Sequence, residues 1–422
     1  MTNFSLLTRT ITLFLAAAPA LALLDHGLSH DQLAGIRQQL RDHAHASWEY
    51  GTASEAFLEI DNADLSVYGP APFPPPRALP VDAWPVSNAK YIVDNKPNTK
   101  ALMDDGAAGD PMSNGISVLL ANATYPTDPR YNAAFMDQLD FIENVVPKDA
   151  NGAISHRVSE VQLWADSVFM VPPILAYYGA LQTDLDVQYK YLNMAVSQIR
   201  AYRQGLRDES TNNGLWHHVM QGSWNDARHW ATGHGWAVSG ILRVYQTVAK
   251  SASRDSMAWA LPELTSYAEE IVAAVWQHQQ PDGSLFNYLD EPGSFTEMSA
   301  TALMAACTYR LALITDATAH IPAADKAFAL VKNSIAEDGR LKNVVNPYDF
   351  TNPYDGVSPE GQGFVLMLQA AYRDFQAFST GIDDSLGSAF SAFADVIAAA
   401  KGDNKVHGKR EPHARRWGSR HH

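Results

Sequence analysis

Four short segments of this 422-residue chain share one pattern. NGAISH at 151–156, NGLWHH at 213–218, DGSLFN at 282–287 and DGRLKN at 338–343 each open on an Asn/Asp-Gly turn and reach a His or Asn four residues after the glycine. Gly152, Gly214, Gly283 and Gly339 stand 62, 69 and 56 residues apart. Each interval fits two helices of about 20 residues plus loops, the mark of a helix-pair repeat. Apolar residues recur with helical period along most of the chain, and strand-like alternation is scarce. Twelve helices are expected, near 31–46, 49–60, 110–124, 130–146, 162–181, 184–206, 229–250, 256–279, 296–314, 320–337, 358–379 and 383–400. Between the second and third, GPAPFPPPRALPVDAWP at 69–85 excludes helix. Six such pairs closing on themselves make an all-α (α/α)6 barrel, a six-hairpin toroid, in one domain over residues 23–400. In that ring the inner helices begin at one end, so His156, His218, Asn287 and Asn343 are expected around a single mouth.

The ends of the chain read differently. Arg9 precedes the apolar run ITLFLAAAPALA, which ends in small residues at Ala20 and Ala22. About twelve apolar residues are too few to span a bilayer, so residues 1–22 read as a signal peptide and the protein as secreted. No later apolar run reads as a membrane helix. Residues 401–422 carry seven Lys/Arg against Asp403 and Glu411, a net of +5 in a chain of net −15, which leaves −20 on the rest. An acidic body argues against nucleic acid or an anionic membrane as partner. The basic tail lacks apolar periodicity and reads as a disordered appendage. Cys307 is the only cysteine, so core burial rather than a disulfide must supply stability. Asn122-Ala-Thr124 is a glycosylation sequon, expected on a surface turn.

One charge stands in QLWADSVFMVPPILAYYGA at 162–180. An unpaired buried carboxylate is costly, so Asp166 either caps a helix or bonds Ser167, or it serves as a proton donor whose pKa is raised against Trp164 and Phe169. The second cluster is GSWNDARHWATGHGWAV at 222–238, with Trp224, Trp230 and Trp236 around Gly233 and Gly235. Tryptophan faces suit the C–H faces of sugar rings, although a Trp-rich core is the structural alternative. Asp110 stands in the turn-rich LMDDGAAGDPMSNG, where a solvated or capping role is the simple reading. His217-His218 and His229 with His234 lack the i, i+4 spacing of a helical zinc motif, so no metal and no cofactor are expected. A Gly-x-Ser-x-Gly elbow, a P-loop and a dinucleotide fingerprint are all missing from the sequence.

Taken in order, several segments resemble the unsaturated rhamnogalacturonyl hydrolases of glycoside hydrolase family 105, and more distantly the unsaturated glucuronyl hydrolases of family 88. They are WEYGTA at 48–53, Asp110 before Gly115, SHR ending in Arg157, LWADSVFM around Asp166, GLWHH ending in His218, HWATGHGW at 229–236, FTEMSATALM at 295–304 and SPEGQGFVLM at 358–367. The resemblance implies the six-hairpin fold and oligosaccharide substrates with a C4=C5 unsaturated uronic acid at the non-reducing end. It implies Asp166 as general acid and Asp110 as a second carboxylate that holds ring hydroxyls. His156 and His218 fall on polar substrate contacts, Trp230 and Trp236 on stacking positions, and Tyr50 on the wall. The family's Trp-Ala-Arg-Gly-x-Gly-Trp reads Trp230-Ala-Thr232-Gly-His234-Gly-Trp236 here, so Thr232 stands in place of a guanidinium and His234 beside it. Pectin fragments are the expected substrate. A hydrolase of saturated glycosides using the same two carboxylates, and a non-catalytic sugar-binding relative, remain alternatives.

Overall fold

Gly152, Gly214, Gly283 and Gly339 all adopt left-handed backbone, with φ of 83°, 85°, 103° and 87°. Only glycine enters that region without penalty, so the four segments make the same turn. Two residues past each glycine a main-chain N–H is received by a helix side chain. Ile154 donates to Gln198 Oε1 at 2.8 Å, Trp216 to His234 Nε2 at 2.8 Å, Leu285 to Thr301 Oγ1 at 3.1 Å and Leu341 to Gln362 Oε1 at 2.7 Å. The last three acceptors each occupy the fourth residue of their helix. The repeat is therefore a hydrogen-bonded unit and not a coincidence of composition.

A computed structural model describes residues 27–104 and 106–380. The leader at 1–22, the helix expected at 383–400 and the basic tail at 401–422 lie outside the described residues. The chain divides into units of residues 1–375 and 376–422, and of the second only 376–380 are described. Among the described residues fourteen α-helices form six outer–inner groups, and in two of these the inner element is broken in two. They are α1 (His30–His43) with α2 (Ser47–Asp61), α3 (Trp84–Asp94) with α4 (Gly109–Ser113) and α5 (Gly115–Thr124), and α6 (Pro129–Asp140) with α7 (Ser167–Met170) and α8 (Pro172–Ala180). Then follow α9 (Leu185–Leu206) with α10 (Ala231–Lys250), α11 (Ala260–Trp276) with α12 (Met298–Thr315), and α13 (Ile321–Asn333) with α14 (Pro359–Thr380).

The first member of each pair buries one stripe, as α1 does with Ile36 and Leu40 and α13 with Ala324, Ala327, Phe328 and Val331. The second members are buried nearly all round, which places them inside. The inner elements close a ring through small residues. A methyl group added to Gly51 of α2 would strike Ser113 of α4, and one on Gly109 of α4 would meet Ser167 and Met170 of α7. From α10, Gly240 faces Val168 of α7 and Gly235 faces Leu303 of α12. From α14, Gly361 faces Ser299 of α12 and Gly363 returns to Thr52 of α2. This is the (α/α)6 barrel.

Three details differ from the sequence expectation. The second outer helix is α3, which none of the expected helices covers; it starts at Trp84 within the stretch 69–85 read as helix-free, and Pro85 sits in its first turn, where a missing N–H costs nothing. Residues 162–166 are not helical, because Leu163–Trp164 forms strand β1 and pairs antiparallel with β2 (Val219–Met220). The sequon Asn122 lies on α5 rather than on a turn, and the Thr124 hydroxyl donates to Leu79 O at 3.1 Å and Leu120 O at 3.2 Å. In addition, α12 is apolar and long enough to cross a membrane by length and composition, yet most of it is buried as a core helix. Two more short ladders, β3 (Leu285–Phe286) with β4 (Thr296–Glu297) and β5 (Val344–Asn346) with β6 (Asp349–Tyr354), tie the loops at the repeat end.

The interior away from those loops carries charge. Arg243 of α10 pairs with Glu55 of α2 at 2.7 Å and with Glu59. Arg310 of α12 joins Glu59 at 2.9 Å and Asp374 of α14, and Arg373 meets Asp374 at 2.8 Å. The network holds three cations and three carboxylates, so it is neutral as a whole. Arg243→Met would leave Glu55 and half of Glu59 uncompensated in a dry interior, and should cost about 3–5 kcal/mol. Urea unfolding monitored by helical circular dichroism would read this as a lower midpoint. Adding Glu55→Leu should restore part of the loss, because the remaining charges again find partners.

Candidate active site

The loops that precede the inner helices bring five of the expected site residues together: Asp110, His156, Asp166, His218 and Trp230. Asp166 follows β1, whose register is fixed when Ala165 donates its N–H to His218 O at 3.0 Å. Its position before α7 suits a cap, but the side chain makes no capping bond; the main-chain carbonyl receives Phe169 N at 2.9 Å instead. The carboxyl turns toward His218, with its side chain 16% exposed. Asp166 Oδ2 is buried without a hydrogen bond, and so is His218 Nε2, 3.7 Å away. Burial pushes the Asp166 carboxyl above the usual range, and the neighbouring His218 and Arg157 offset only part of that shift.

His218 is held from behind. Its Nδ1 lies 3.1 Å from Asp226 Oδ2, and a carboxylate can only accept, so Nδ1 carries the proton and Nε2 points forward. Asp226 also receives Arg228 at 2.7 Å and Tyr288 Oη at 3.2 Å. Burial alone would raise Asp226, but the donors from His218 and Arg228 outweigh it and hold this carboxyl well below the ordinary range. Asp166 and Asp226 thus flank one imidazole with opposite proton affinities. His156 stacks on Trp164 at 4.5 Å, with Nδ1 3.0 Å from Ser167 Oγ and 3.9 Å from Asp110 Oδ1. Burial, with Arg157 and His218 nearby, lowers His156 well below the normal histidine range, so it is neutral. Asp110 is the second residue of α4, its side chain 11% exposed.

An aromatic wall completes the site. Trp230 lies 4.4 Å from the His218 ring and donates Nε1–H to Asn287 Oδ1 at 2.9 Å. Trp164 meets Trp224 edge-on at 5.4 Å, and Phe350 of β6 reaches His218 at 4.6 Å and Trp230 at 6.0 Å. Arg157 stacks over Trp164 at 4.7 Å, and no carboxylate pairs with its guanidinium among the described residues.

Four expected residues stand elsewhere or behind. Thr232 is buried and its hydroxyl faces Glu297 Oε2 at 3.4 Å. His234 commits both ring nitrogens to main chain, Nε2 to Trp216 N and Nδ1 to Trp230 O at 2.7 Å, and burial lowers its pKa to about 3. That leaves no ring nitrogen for a ligand. Trp236 packs between Phe169 at 4.5 Å and Phe364 at 4.6 Å, which is core and not a sugar platform. The ring of Tyr50 turns to Trp84 at 6.2 Å and Tyr91 at 5.7 Å of α3, and burial pushes its phenol up to about 12. Conversely, Asp226 and Phe350 were not singled out in the sequence, and Arg157 entered only as the end of the SHR match, with no role given to it. Arg157 adjoins His156, a usable signal, whereas Phe350 sits in a polar hairpin with no local pattern to mark it.

Solved structures share this architecture. A possible family 105 member from Salmonella enterica serovar Paratyphi A superposes with a TM-score of 0.63 at 18% identity, over 83% of this chain and 95% of that one. A family 105 glycoside hydrolase from C. acetobutylicum gives 0.60 at 14%, over 80% and 99%. An unsaturated glucuronyl hydrolase from Bacillus sp. GL1 gives 0.55 at 15%, over 80% and 94%. At such identities the likeness speaks for the fold. No curated protein matches the chain at a significant level. The sequence model for Glycosyl Hydrolase Family 88, however, matches residues 87–375, most of the barrel and every cleft residue named above. The chain belongs to glycosyl hydrolase family 88 and is a glycoside hydrolase.

Proposed function

We propose that this hydrolase removes a C4=C5 unsaturated uronic acid from the non-reducing end of pectin-derived oligosaccharides by hydrating the vinyl ether. The observation that carries the reading is the Asp166 carboxyl, which caps nothing, has a buried oxygen without a hydrogen bond and is biased toward its protonated form. A vinyl ether is a weak base, so its acid must still hold a proton near working pH. Asp166 gives its proton to C4, and the alkene electrons form the C4–H bond while positive charge develops at C5 and the ring oxygen. Water then adds to C5 and returns a proton to the Asp166 carboxylate. The resulting hemiketal opens to a ketone at C5, which leaves a hemiacetal at C1, and its collapse to the aldehyde releases the neighbouring sugar as its free alcohol. His218, fixed by Asp226, and Asp110 would hold hydroxyls of the ring. Arg157, which has no carboxylate partner among the described residues, supplies the cation for the uronate that Thr232 cannot supply. Export through the leader at 1–22 belongs to the same reading, because pectin fragments arise outside the cell.

The test follows the ultraviolet absorbance of the conjugated enol ether as an unsaturated disaccharide is consumed. Asp166→Asn should lower the rate by roughly 10²–10⁴ with little change in binding. Release of sugar from a saturated glycoside without loss of that absorbance would replace this proposal by direct displacement.

The raised pKa gives two further expectations. Activity should fall as pH rises through it, because the acid then loses its proton. Ionised Asp166 also costs folding stability above the unfolded-state value of about 4. Asp166→Asn should therefore melt higher than the parent at neutral pH, and the gap should close as pH drops below that value; calorimetry across pH checks both limits. Arg157→Gln should raise KM for the charged substrate about tenfold to a hundredfold, the range for a hydrogen bond to a charged group. The methyl ester of the same sugar should be bound equally by both proteins.

A further inference from the structure

Asp208, His217 and His229 converge behind the wall that carries His218 and Trp230. Asp208 follows α9, and His229 lies two residues before α10, so the cluster brackets the loop 208–229 at both ends. Just before β2, the His218 ring meets Asp166 and Trp230, whereas the His217 ring meets Asp208 and His229. His218 accordingly faces the cleft and His217 faces the cluster.

The tautomers follow from the partners. His217 Nδ1 is 2.6 Å from Ala227 O, and a carbonyl oxygen can only accept, so the proton sits on Nδ1. His229 Nδ1 is 2.8 Å from Asp290 Oδ2, and the same logic holds. Both Nε2 atoms then turn toward the Asp208 carboxylate, at 3.8 Å for His217 and 3.3 Å for His229. A carboxylate facing two ring nitrogens is held there by a shared cation, either protons on the rings or a metal ion. His229 Nε2 is buried with no hydrogen-bond partner, on a side chain only 7% exposed. The two imidazole rings are parallel, 11° apart, with centroids 5.6 Å from each other.

We propose that these three side chains bind a divalent transition metal ion of the zinc class. One ligand atom from each residue lies within 4.8 Å of the others. Zinc bonds of about 2.0–2.2 Å make tetrahedron edges of roughly 3.3–3.6 Å, so the His229–Asp208 edge is already in place and the other edges need only small side-chain rotations. The outer partners match those of metal-bound histidines, a carbonyl behind one ring and a carboxylate behind the other. Asp208 is itself aimed by Ser210 N at 2.8 Å, Ser210 Oγ at 2.6 Å and Thr211 Oγ1 at 2.9 Å. The His217 side, 19% exposed, leaves room for a water as fourth ligand. The ion would clamp the loop whose front face positions His218, and it is independent of the reaction assigned to that face.

The full-length protein, stripped with chelator, is dialysed against Zn²⁺ and compared with the His217→Ala/His229→Gln double variant by elemental analysis. The wild type should hold about one more equivalent than the variant, a difference that removes any contribution from histidines elsewhere. Co²⁺ in the wild type should give the intense visible bands of tetrahedral coordination, and Zn²⁺ should raise its melting temperature. Equal metal content in the two proteins, with no such bands and no thermal shift, would overturn the site. If the double variant does not fold, Asp290→Asn keeps all three ligands but withdraws the support behind His229. It should weaken Zn²⁺ binding about 10–100-fold, and unchanged affinity there would count against the proposal equally.

Discussion

The buried pairing of Arg243 with Glu55 and Glu59 is the constraint around which the barrel is arranged. It joins α10 to α2, and through Glu59 and Arg310 it extends to α12 and α14, four of the six inner elements. Charges so deep are stable only if each finds its opposite with good geometry, so the network admits one angular placement of these helices and penalises others. Tyr68 lays its ring against both guanidiniums, 5.5 Å from Arg243 and 4.1 Å from Arg310, and covers them further. With the only cysteine buried and free, no disulfide shares this task. Fixing the lower barrel in this way leaves the loop end free to carry open polar groups.

At that open end the chemistry depends on contrast. Asp166 and Asp226 flank the same imidazole, yet one carboxyl lacks donors and the other is surrounded by them. Environments that drive two carboxyls apart in proton affinity are how a fold assigns acid and charge-stabilising roles among like groups. The neutral His156 beside Asp110 and the directed His218 beside Asp166 repeat the contrast on the imidazole side.

The periodic part of this was legible in the sequence. A left-handed turn demands glycine, so the four turns leave a visible mark, and the amphipathic outer helices announce their spacing. What was hidden were choices made by tertiary contact. Trp230 and Trp236 look alike in HWATGHGW, but Trp230 packs against His218 of the site while Trp236, six residues on, packs between Phe169 and Phe364. His234 resembles a ligand residue until the repeat shows that its position is the one that receives the turn's N–H, filled by Thr301 and Gln362 in later pairs. His217 and His229, with no helical spacing, meet only because the loop between them folds back. Prolines concealed α3, although Pro85 marks its first turn.

The contact of Gly363 with Thr52 closes the ring between segments more than 300 residues apart in sequence. In an open solenoid each repeat rests on the one before it, and a shortened array still has two capped ends. A ring has no ends to cap. Opening it at any interface uncovers the apolar faces of two inner helices together, and a chain released before residue 359 would leave α2 and α12 bare in this way. The six pairs therefore mature as one cooperative unit, and the last pair made completes the burial of the first.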